Sequence, residues 1–257
     1  MKNYFDLSGQ VAVVTGASTG LGVQMAKALA NQGASIVCMA RRQNLIDEVA
    51  AEISKEFDVK AIGVRCDITD TANVEEAVDT VIKEFGRIDI LINNAGTGAV
   101  APAEDITDDQ FYNELNIDLF GSFRVAREIA KKAMIPAGYG RIINIASMYG
   151  MVGNKIAPSS PYHAAKGGVV NLTRALAAEW GKHKITVNAI CPGYFYTPLT
   201  KETLDTEFFQ ANAKAFIPLE RYGNEGELDT TALFLASPAS TYVTGVILPV
   251  DGGYTSM

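Results

Sequence analysis

The amino-acid sequence predicts an α/β fold, a single doubly wound domain with helices on both faces of a parallel sheet. Short apolar runs, which are typical of strands buried on both faces, alternate along the chain with longer segments of helical periodicity. No linker, low-complexity tract or repeat interrupts this alternation over the 257 residues. Because consecutive parallel strands need a crossover connection, the alternation predicts right-handed βαβ units in one sheet.

Each strand is predicted from an apolar run, and each helix from its periodicity and its end signals. The first run ends at Thr15-Gly16, which marks a strand entering a turn, and the helix after it stops at Gly33. The predicted strands are 11–14, 35–39, 61–66, 88–92, 141–146, 185–190 and 246–250. The predicted helices are 24–32, 44–57, 74–85, 110–134, 161–180 and 225–235. Together they form a Rossmann-type sheet of about seven strands.

Composition indicates a globular protein and argues against several classes of partner. The chain is 48% hydrophobic, and its net charge of −7 argues against nucleic acid, whose binding needs a basic face. No apolar run approaches the ~20 residues that span a bilayer, and the N-terminus lacks a signal-peptide core. We therefore expect a cytoplasmic protein with no membrane partner. Cys38, Cys66 and Cys191 are expected to be buried free thiols, and with only two histidines we expect no metal site.

A glycine-rich turn follows the first predicted strand and leads directly into a helix. Glycines let the backbone approach a pyrophosphate closely, and the helix N-terminus offers it free N–H groups. In this position the turn predicts a nucleotide site. The predicted binding residues of the turn are Gly16, Ser18, Thr19, Gly20, Leu21 and Gly22.

The end of the second strand is expected to meet the adenosine ribose of the nucleotide. An acidic residue there suits the 2′-hydroxyl of NAD, whereas arginine suits the 2′-phosphate of NADP. Here Ala40 is followed by Arg41 and Arg42, whose guanidinium groups match a phosphate in geometry and charge. We therefore predict NADP(H) rather than NAD(H). The alternative is that the two arginines are only a solvated charge pair at the start of the next helix.

Tyr162 and Lys166 are the candidate catalytic pair. On a helix their spacing of four puts both side chains on one face, one turn apart. A lysine cation close to a phenol favours the phenolate and brings the pKa of the phenol down from about 10 toward neutrality. A proton relay to an alcohol or ketone requires such a shift. Because this spacing also arises often by chance, the prediction depends on the other motifs.

Together these motifs resemble the short-chain dehydrogenase/reductase family over nearly the whole chain. The glycine-rich turn, Asp67, Asn93-Asn94-Ala95-Gly96, Ser147, the Tyr162–Lys166 pair and Pro192-Gly193 occur in the order typical of that family. The resemblance implies that Tyr162 and Lys166 also contact the cofactor and that the protein is a homodimer or homotetramer. The further cofactor residues it implies are Asp67 and Ile68 beside the adenine, Asn94, Ala95 and Gly96 in the cleft, and Pro192, Gly193, Phe195 and Thr197 at the nicotinamide end.

One position departs from the family pattern. The family often has an asparagine in its long helix, where it organises a proton-relay water. Aligning Leu119-x-Gly121-x-Phe123 with that helix puts Asp118 at this position, whereas a shift of two residues would restore Asn116 but lose the glycine match. We predict that Asp118 takes the role. The surrounding Ile-Asp-Leu pattern and Pro192-Gly193-Tyr194-Phe195 are similar to the gluconate 5-dehydrogenase branch.

These residues predict reversible hydride transfer between NADP(H) and a carbonyl carbon, with Ser147, Tyr162, Lys166 and Asp118 as the catalytic set. The substrate is expected to lie against the loops 148–161 and 194–218. Its predicted contacts are Ser147, Met148, Tyr149, Tyr162 and Tyr194. The branch resemblance favours a sugar acid or polyol. The aromatic residues of the loops would suit a hydroxysteroid, unless they form a core under the loops. The same motifs would also suit a 3-oxoacyl-thioester reductase or, without turnover, an NADP-binding redox sensor.

Overall fold

The computed structural model describes residues 3–98, 100–198 and 200–257. Within these ranges seven parallel strands form one sheet in the order β3-β2-β1-β4-β5-β6-β7, which confirms the predicted fold class. The strands are β1 (Val11–Thr15), β2 (Ser35–Ala40), β3 (Ala61–Arg65), β4 (Ile90–Asn93), β5 (Gly140–Ile145), β6 (Ile185–Pro192) and β7 (Ile247–Val250).

The strand order reverses beside β1. The strands β2 and β3 lie in succession on one side of β1, whereas β4 and the later strands lie on the other side. Loops leave the carboxyl ends of β1 and β4 in opposite directions, and ligands of doubly wound sheets bind in the crevice between them. The helices are α1 (Leu21–Ala30), α2 (Gln43–Phe57), α3 (Thr71–Phe85), α4 (Asp108–Leu115), α5 (Ser122–Ile129), α6 (Ile135–Ala137), α7 (Ser160–Trp180), α8 (Lys201–Leu204), α9 (Glu207–Phe216) and α10 (Asp229–Ala236).

The sheet is apolar on both faces because helices cover each of them. Ala12 and Val14 of β1 pack in a cluster that includes residues of α1, α2 and α10. Val11 and Val13 pack in a second cluster that includes residues of α3 and α5. Neighbouring residues of one strand thus enter opposite clusters, as the period of two requires. Burial on both faces explains why the strands are continuous apolar runs in the sequence.

Several smaller expectations can be compared with the structure. Cys38, Cys66 and Cys191 are buried free thiols, as predicted. Burial raises the pKa of the Cys38 thiol to about 12.

In the part of the chain that the structure describes, no helix has the length and apolar character to cross a membrane. Among the same residues, no three histidine, cysteine, aspartate or glutamate side chains are grouped as metal ligands.

The long helix predicted at 110–134 is longer and less regular than expected. It runs from Asp108 to Ala137 as α4, α5 and α6, which are joined by two π-helical turns, Asn116–Gly121 and Ala130–Met134. Thr107 begins it with a capping box, in which its hydroxyl accepts from the Gln110 N–H and the Gln110 side chain accepts from the Thr107 N–H. The first π-turn contains Asp118, and turns of this kind are frequent at functional sites.

One predicted helix begins later than expected, and one segment predicted as a loop contains helices. The helix predicted at 225–235 begins only at Asp229, because Gly226 has a φ of 84°, which a right-handed helix does not allow. The predicted substrate loop 194–218 contains the two short helices α8 and α9, with Leu199 of this segment outside the described residues. Thr206 caps α9 through a hydrogen bond from the Phe209 N–H, a local signal that the prediction passed over.

Candidate active site

Hydrogen bonds of two side chains, one at the end of β1 and one just after β4, hold the glycine-rich turn against the segment that follows β4. Thr15 Oγ1, at the end of β1, accepts hydrogen bonds from the N–H groups of Asn94 and Ala95, each 3.0 Å long. The Asn94 side-chain amide donates to the Thr15 carbonyl, also at 3.0 Å. Asn94 and Ala95 therefore shape the crevice by tying the two strand ends together at the switch point of the sheet.

Glycine is needed at positions 16 and 22, because a side chain at either position would collide with neighbouring atoms where the turn meets the segment after β4. Gly16 has a φ of 68°, and a Cβ on it would lie 2.9 Å from both Ala95 Cα and Asn94 Nδ2. A Cβ on Gly22 would lie 2.6 Å from Asn94 Nδ2 and from the Gly16 carbonyl oxygen. Gly20, at the N-cap of α1, has no side chain to cap the helix, so the first N–H groups of α1 are left for another acceptor. This combination suits a pyrophosphate.

The end of β2 carries positive charge beside the same turn. Arg41 and Arg42 are both exposed, and Arg42 Nη2 donates to Ser18 Oγ at 3.0 Å. Asp67 lies after β3, where Thr69 donates to Asp67 Oδ1 from its N–H at 3.0 Å and its hydroxyl at 2.7 Å. These hydrogen bonds, with a smaller contribution from Arg41, hold the pKa of Asp67 below its ordinary value.

The remaining predicted cofactor residues surround the crevice from two sides. Ile68 is buried and reaches Gly121, where a Cβ would lie 2.6 Å from Ile68 Cδ1. Thr197 lies on the opposite side, 3.7 Å from the position of a Cβ on Gly20, so the segment after β6 contacts the glycine-rich turn. Phe195 turns its ring into the core against Gly223, so only its backbone remains for a cofactor contact. Thr19 lies in the turn itself, and Leu21 is the first residue of α1. Pro192 ends β6, and Gly193 follows it.

A buried chain of polar side chains joins the sheet to α7. Asn93 Nδ2 donates to Asn144 Oδ1 at 3.1 Å and to the Ser122 carbonyl at 3.0 Å. Asn144 Nδ2 donates in turn to Thr173 Oγ1 at 2.9 Å. These bonds set the position of α7 relative to β4 and β5. Sequence reasoning missed Asn144 and Thr173, although a lone asparagine inside the apolar run of β5 was a usable signal.

Lys166 is buried on α7, and its ammonium has two polar contacts. Its Nζ donates to the Ile145 carbonyl at 3.1 Å and lies 3.0 Å from Asp118 Oδ2. The Tyr162 ring, one turn earlier on the same face, has its centroid 5.5 Å from Nζ. Burial disfavours the ammonium, but Tyr162 and Asp118 favour it more strongly, so the pKa of Lys166 is raised.

The structure places Asp118, rather than Asn116, beside Lys166. Asp118 is wholly buried, and its Oδ1 accepts a hydrogen bond from the Thr97 N–H at 2.8 Å. Gly96 makes room for the ion pair, because a Cβ there would lie 3.0 Å from Asp118 Oδ2 and 3.2 Å from Lys166 Nζ. The segment after β4 thus covers the carboxylate and the ammonium together.

Ser147 and Tyr149 form the side of the site that follows β5. Ser147 is buried directly beyond β5, and its Oγ accepts from the Tyr149 N–H at 3.1 Å. The hydroxyls of Tyr149 and Tyr194 lie 2.6 Å apart, and burial raises the pKa of both phenols. Met148 is almost completely buried. His163, which sequence reasoning did not assign to the site, stacks on the Tyr149 ring with centroids 4.8 Å apart.

Half of the aromatic residues of the segment 194–218 pack in a small core of their own, namely Tyr194, Tyr196 and Phe209, and Phe195 packs in the main core. Tyr194 contacts the rings of Phe209 and Tyr222 with centroids 5.9 Å and 5.6 Å away. Leu204, Ala213, Ile217 and Tyr222 are the buried residues of this cluster. Phe208 and Phe216 are the exposed exceptions within the described part of the segment.

The sheet order, the glycine-rich turn at its switch point and the Tyr162–Lys166 pair are typical of dinucleotide-dependent oxidoreductases. A family model described as "Enoyl-(Acyl carrier protein) reductase" matches residues 16–255. The chain belongs to the short-chain dehydrogenase/reductase family, as the sequence motifs predicted.

Two curated relatives bear on the cofactor and the substrate. Gluconate 5-dehydrogenase of Gluconobacter oxydans is 38% identical over 251 residues, covering 98% of this chain and 96% of the relative. NAD-dependent glycerol dehydrogenase of Listeria innocua is 36% identical over 251 residues and covers the same shares. Gluconate and glycerol, after which these relatives are named, both carry several hydroxyl groups.

Two solved structures are similar throughout their length. A short-chain type dehydrogenase/reductase from Mycobacterium marinum is 39% identical, with a TM-score of 0.93 over 99% of this chain and 98% of that one. A gluconate 5-dehydrogenase from Burkholderia cenocepacia, in complex with NADP and tartrate, is 36% identical, with a TM-score of 0.94 over the same shares.

Proposed function

We propose that this protein is an NADP(H)-dependent oxidoreductase that interconverts a secondary alcohol and a ketone, with a sugar acid or polyol as substrate. The observation that carries the proposal is the buried Lys166 ammonium, which Asp118 and the Ile145 carbonyl hold beside Tyr162 next to the nucleotide crevice. The named activities of the relatives on gluconate and glycerol support the substrate class.

The crevice fits a dinucleotide, because Gly16 and Gly22 admit the backbone close to a pyrophosphate and the N-terminus of α1 faces no side-chain cap at Gly20. When bound there, NADP(H) supplies or accepts the hydride. In ketone reduction Ser147 donates a hydrogen bond to the substrate oxygen. Tyr162 then gives its proton to the developing alkoxide, and the Lys166 cation stabilises the phenolate that remains. Asp118 keeps Lys166 in place and accepts a hydrogen bond from a relay water.

Similar proteins do not favour one cofactor, because one relative is named as NAD-dependent and one solved structure contains NADP. The proposed preference for NADP(H) therefore rests on Arg41 and Arg42. Guanidinium groups at the end of β2 pair with a 2′-phosphate, which NAD(H) lacks. Replacing both arginines by alanine should lower kcat/KM for NADPH on the order of tenfold or more, because charged hydrogen bonds are lost, and leave NADH unaffected. Lys55→Ala, which removes an exposed cation from α2, is the control. An unmodified enzyme that prefers NADH would refute the assignment.

The substrate class is tested by NADPH oxidation with three compounds: 5-ketogluconate, a keto-steroid and an acetoacetyl thioester. The hydroxyls of Ser147, Tyr149 and Tyr194 offer hydrogen-bond partners to a hydroxylated substrate, so 5-ketogluconate is expected to give the highest kcat/KM. A higher value for the steroid or the thioester would support a hydroxysteroid dehydrogenase or a 3-oxoacyl-thioester reductase, respectively. Tight NADPH binding without turnover of any ketone would support the redox sensor.

We also propose that the protein is a cytoplasmic homodimer or homotetramer in which the long helix contacts a second copy. Tyr112 and Phe120 support this, because they expose 69% and 54% of their surface on that helix. They line one surface groove with Leu115 and Arg124. Light scattering of the purified protein tests the proposal, and a monomer at micromolar concentration would contradict it.

A further inference from the structure

The hydroxyls of Tyr149 and Tyr194 form a pair on the side of the site that follows β5. Tyr149 is buried, and its hydroxyl lies 2.6 Å from that of Tyr194. Tyr149 belongs to the short turn Met148–Gly150, and a Cβ on Gly150 would lie 2.6 Å from the Lys166 carbonyl oxygen. The turn therefore packs directly on the helix that carries the candidate catalytic pair.

Tyr254 adds a third phenol to this pair. Its ring lies edge-on to that of Tyr149, with centroids 6.4 Å apart. Burial is the largest cause that raises the pKa of Tyr149 and that of Tyr194, so both phenols are uncharged at pH 7. We call Tyr149, Tyr194 and Tyr254 the tyrosine wall. Because a phenol both donates and accepts hydrogen bonds, the wall matches the hydroxyl groups of a substrate, which do the same.

A carboxylate in the same crevice would need a buried cation that is not already paired. Among the residues that the structure describes, Lys166 and Arg141 are the buried cations. Lys166 Nζ lies 3.0 Å from Asp118 Oδ2, so that this pair has no net charge. Arg141 lies near the amino end of β5, where it donates to the carbonyls of Gly140 and Ser237, whereas the site lies beyond the carboxyl end of that strand. Neither cation is available to a carboxylate substrate.

The other cations of the two substrate loops are exposed. Lys155, Lys201 and Lys214 all lie at the surface. Arg221, just after the second loop, is exposed too, and its Nη1 lies 2.7 Å from Glu227 Oε2. Because water screens an exposed charge, such a cation stabilises a bound carboxylate much less than a buried one would. The described residues of the loops therefore offer a sugar acid no buried countercharge.

We propose that the tyrosine wall makes the site selective for neutral polyols and ketoses over the corresponding sugar acids, with Tyr149 and Tyr194 as specificity-determining residues. Substrate hydroxyls near the reacting carbon bond to the phenol pair. A carboxylate at the same place loses its water and gains no cation. The inference narrows the substrate class of the proposed function and rests on that function.

Matched pairs of open-chain substrates test this selectivity in the direction of alcohol oxidation. D-Gluconate and D-glucitol differ only at one end of the chain, which is a carboxylate in the first and a CH2OH group in the second. Threonate and threitol are a shorter pair of the same kind. Initial rates of NADP⁺ reduction give kcat/KM for each compound. In the pair that the enzyme uses better, the polyol should exceed the acid on the order of tenfold or more, because burying an unpaired carboxylate is unfavourable.

Two variants test the phenol pair itself. Tyr149→Phe and Tyr194→Phe remove one hydroxyl each and keep the ring. Each should lower kcat/KM for the preferred polyol about tenfold, mainly through KM, and reduce the ratio of polyol to acid, while NADPH affinity measured by fluorescence is kept. Tyr196→Phe is the matched control, because its hydroxyl accepts from Gln210 Nε2 at 2.9 Å in the same aromatic cluster but outside the wall. It should leave the ratio unchanged.

The exposed lysines are tested separately by Lys155→Ala and Lys201→Ala. Both variants should keep the ratio of polyol to acid of the unmodified protein. A selective loss of gluconate oxidation in either variant would identify a carboxylate site and overturn the inference.

Other results would also contradict the selectivity. A higher kcat/KM for the acid than for the polyol would overturn the inference and leave the proposed oxidoreductase in place. Unchanged polyol kinetics in both Tyr149→Phe and Tyr194→Phe, or turnover of the keto-steroid or the thioester alone, would overturn it as well. If the protein oxidises neither pair and reduces no ketone at all, the proposed function fails and the inference fails with it.

Discussion

Replacing Gly96 by alanine tests the central contact of the site, the ion pair of Asp118 with Lys166. The added Cβ would lie 3.0 Å and 3.2 Å from the two carboxylate oxygens of Asp118 and 3.2 Å from Lys166 Nζ. Neither group can withdraw freely, because Asp118 accepts from the Thr97 N–H and Lys166 donates to the Ile145 carbonyl. The methyl group must therefore displace the backbone or separate the buried charges.

Overpacking of this kind costs about 1–3 kcal/mol, and for a chain of this size each kcal/mol lowers Tm by about 2–4 °C. Moving Lys166 away from Tyr162 should also lower kcat on the order of tenfold, because the phenolate loses its countercharge. Differential scanning calorimetry and steady-state kinetics measure the two effects.

The control for stability is Gly98→Ala in the same segment. A Cβ on Gly98 would lie 3.5 Å from the Tyr162 ring, which is an ordinary contact, so Tm should change little. If Gly96→Ala kept both the Tm and the kcat of the unmodified protein, the close packing of this segment over the ion pair would be wrong.

Three further predictions address the proton donor, the buried polar chain and the acid range. Tyr162→Phe should lower kcat about 10²–10⁴-fold while NADPH binding, followed by fluorescence, persists; near-normal turnover would exclude this tyrosine as the acid. Thr173→Val leaves the buried Asn144 amide without its acceptor and should cost about 1–3 kcal/mol in chemical denaturation, whereas an unchanged midpoint would contradict the polar chain. Burial, followed by the charge of Glu225, raises the pKa of Asp229 to about 6. Because its folded pKa lies above the ordinary 3.8, stability should decrease as pH rises between these values, and Asp229→Asn should flatten that part of the Tm profile.

The fold could be predicted well from the sequence because its strands are buried on both faces. Each strand is a continuous apolar run, and helices alternate with strands, so the parallel sheet follows from local patterns. Element ends were less predictable. The helix α10 starts late because Gly226 adopts a positive φ, a conformation that periodicity does not encode. The helix α8 was missed because it has only four residues, and α9 because its aromatic residues were assigned to a substrate loop.

The candidate site was predictable to the extent that its residues form spaced motifs. Tyr162 and Lys166 share a helix face by their spacing, and Ser147 follows a strand whose apolar run is visible in the sequence. The contacts that organise the site come from separate parts of the chain, as with Thr15 and Asn94 or Asn144 and Thr173. Such pairs arise from packing, and a single sequence carries no record of them.

The sequence by itself determined the fold class, the glycine-rich turn after β1 and the order of the motifs, because these depend on periodicity and spacing along the chain. Only the tertiary structure decided which groups surround Lys166. Asp118 reaches it from a π-turn, which shifts the helix face that the following residues occupy. Glu114 and Asp118 are both buried, and α4, which carries Glu114, packs against α7. Burial depends on that packing, which the periodicity of a single helix does not encode.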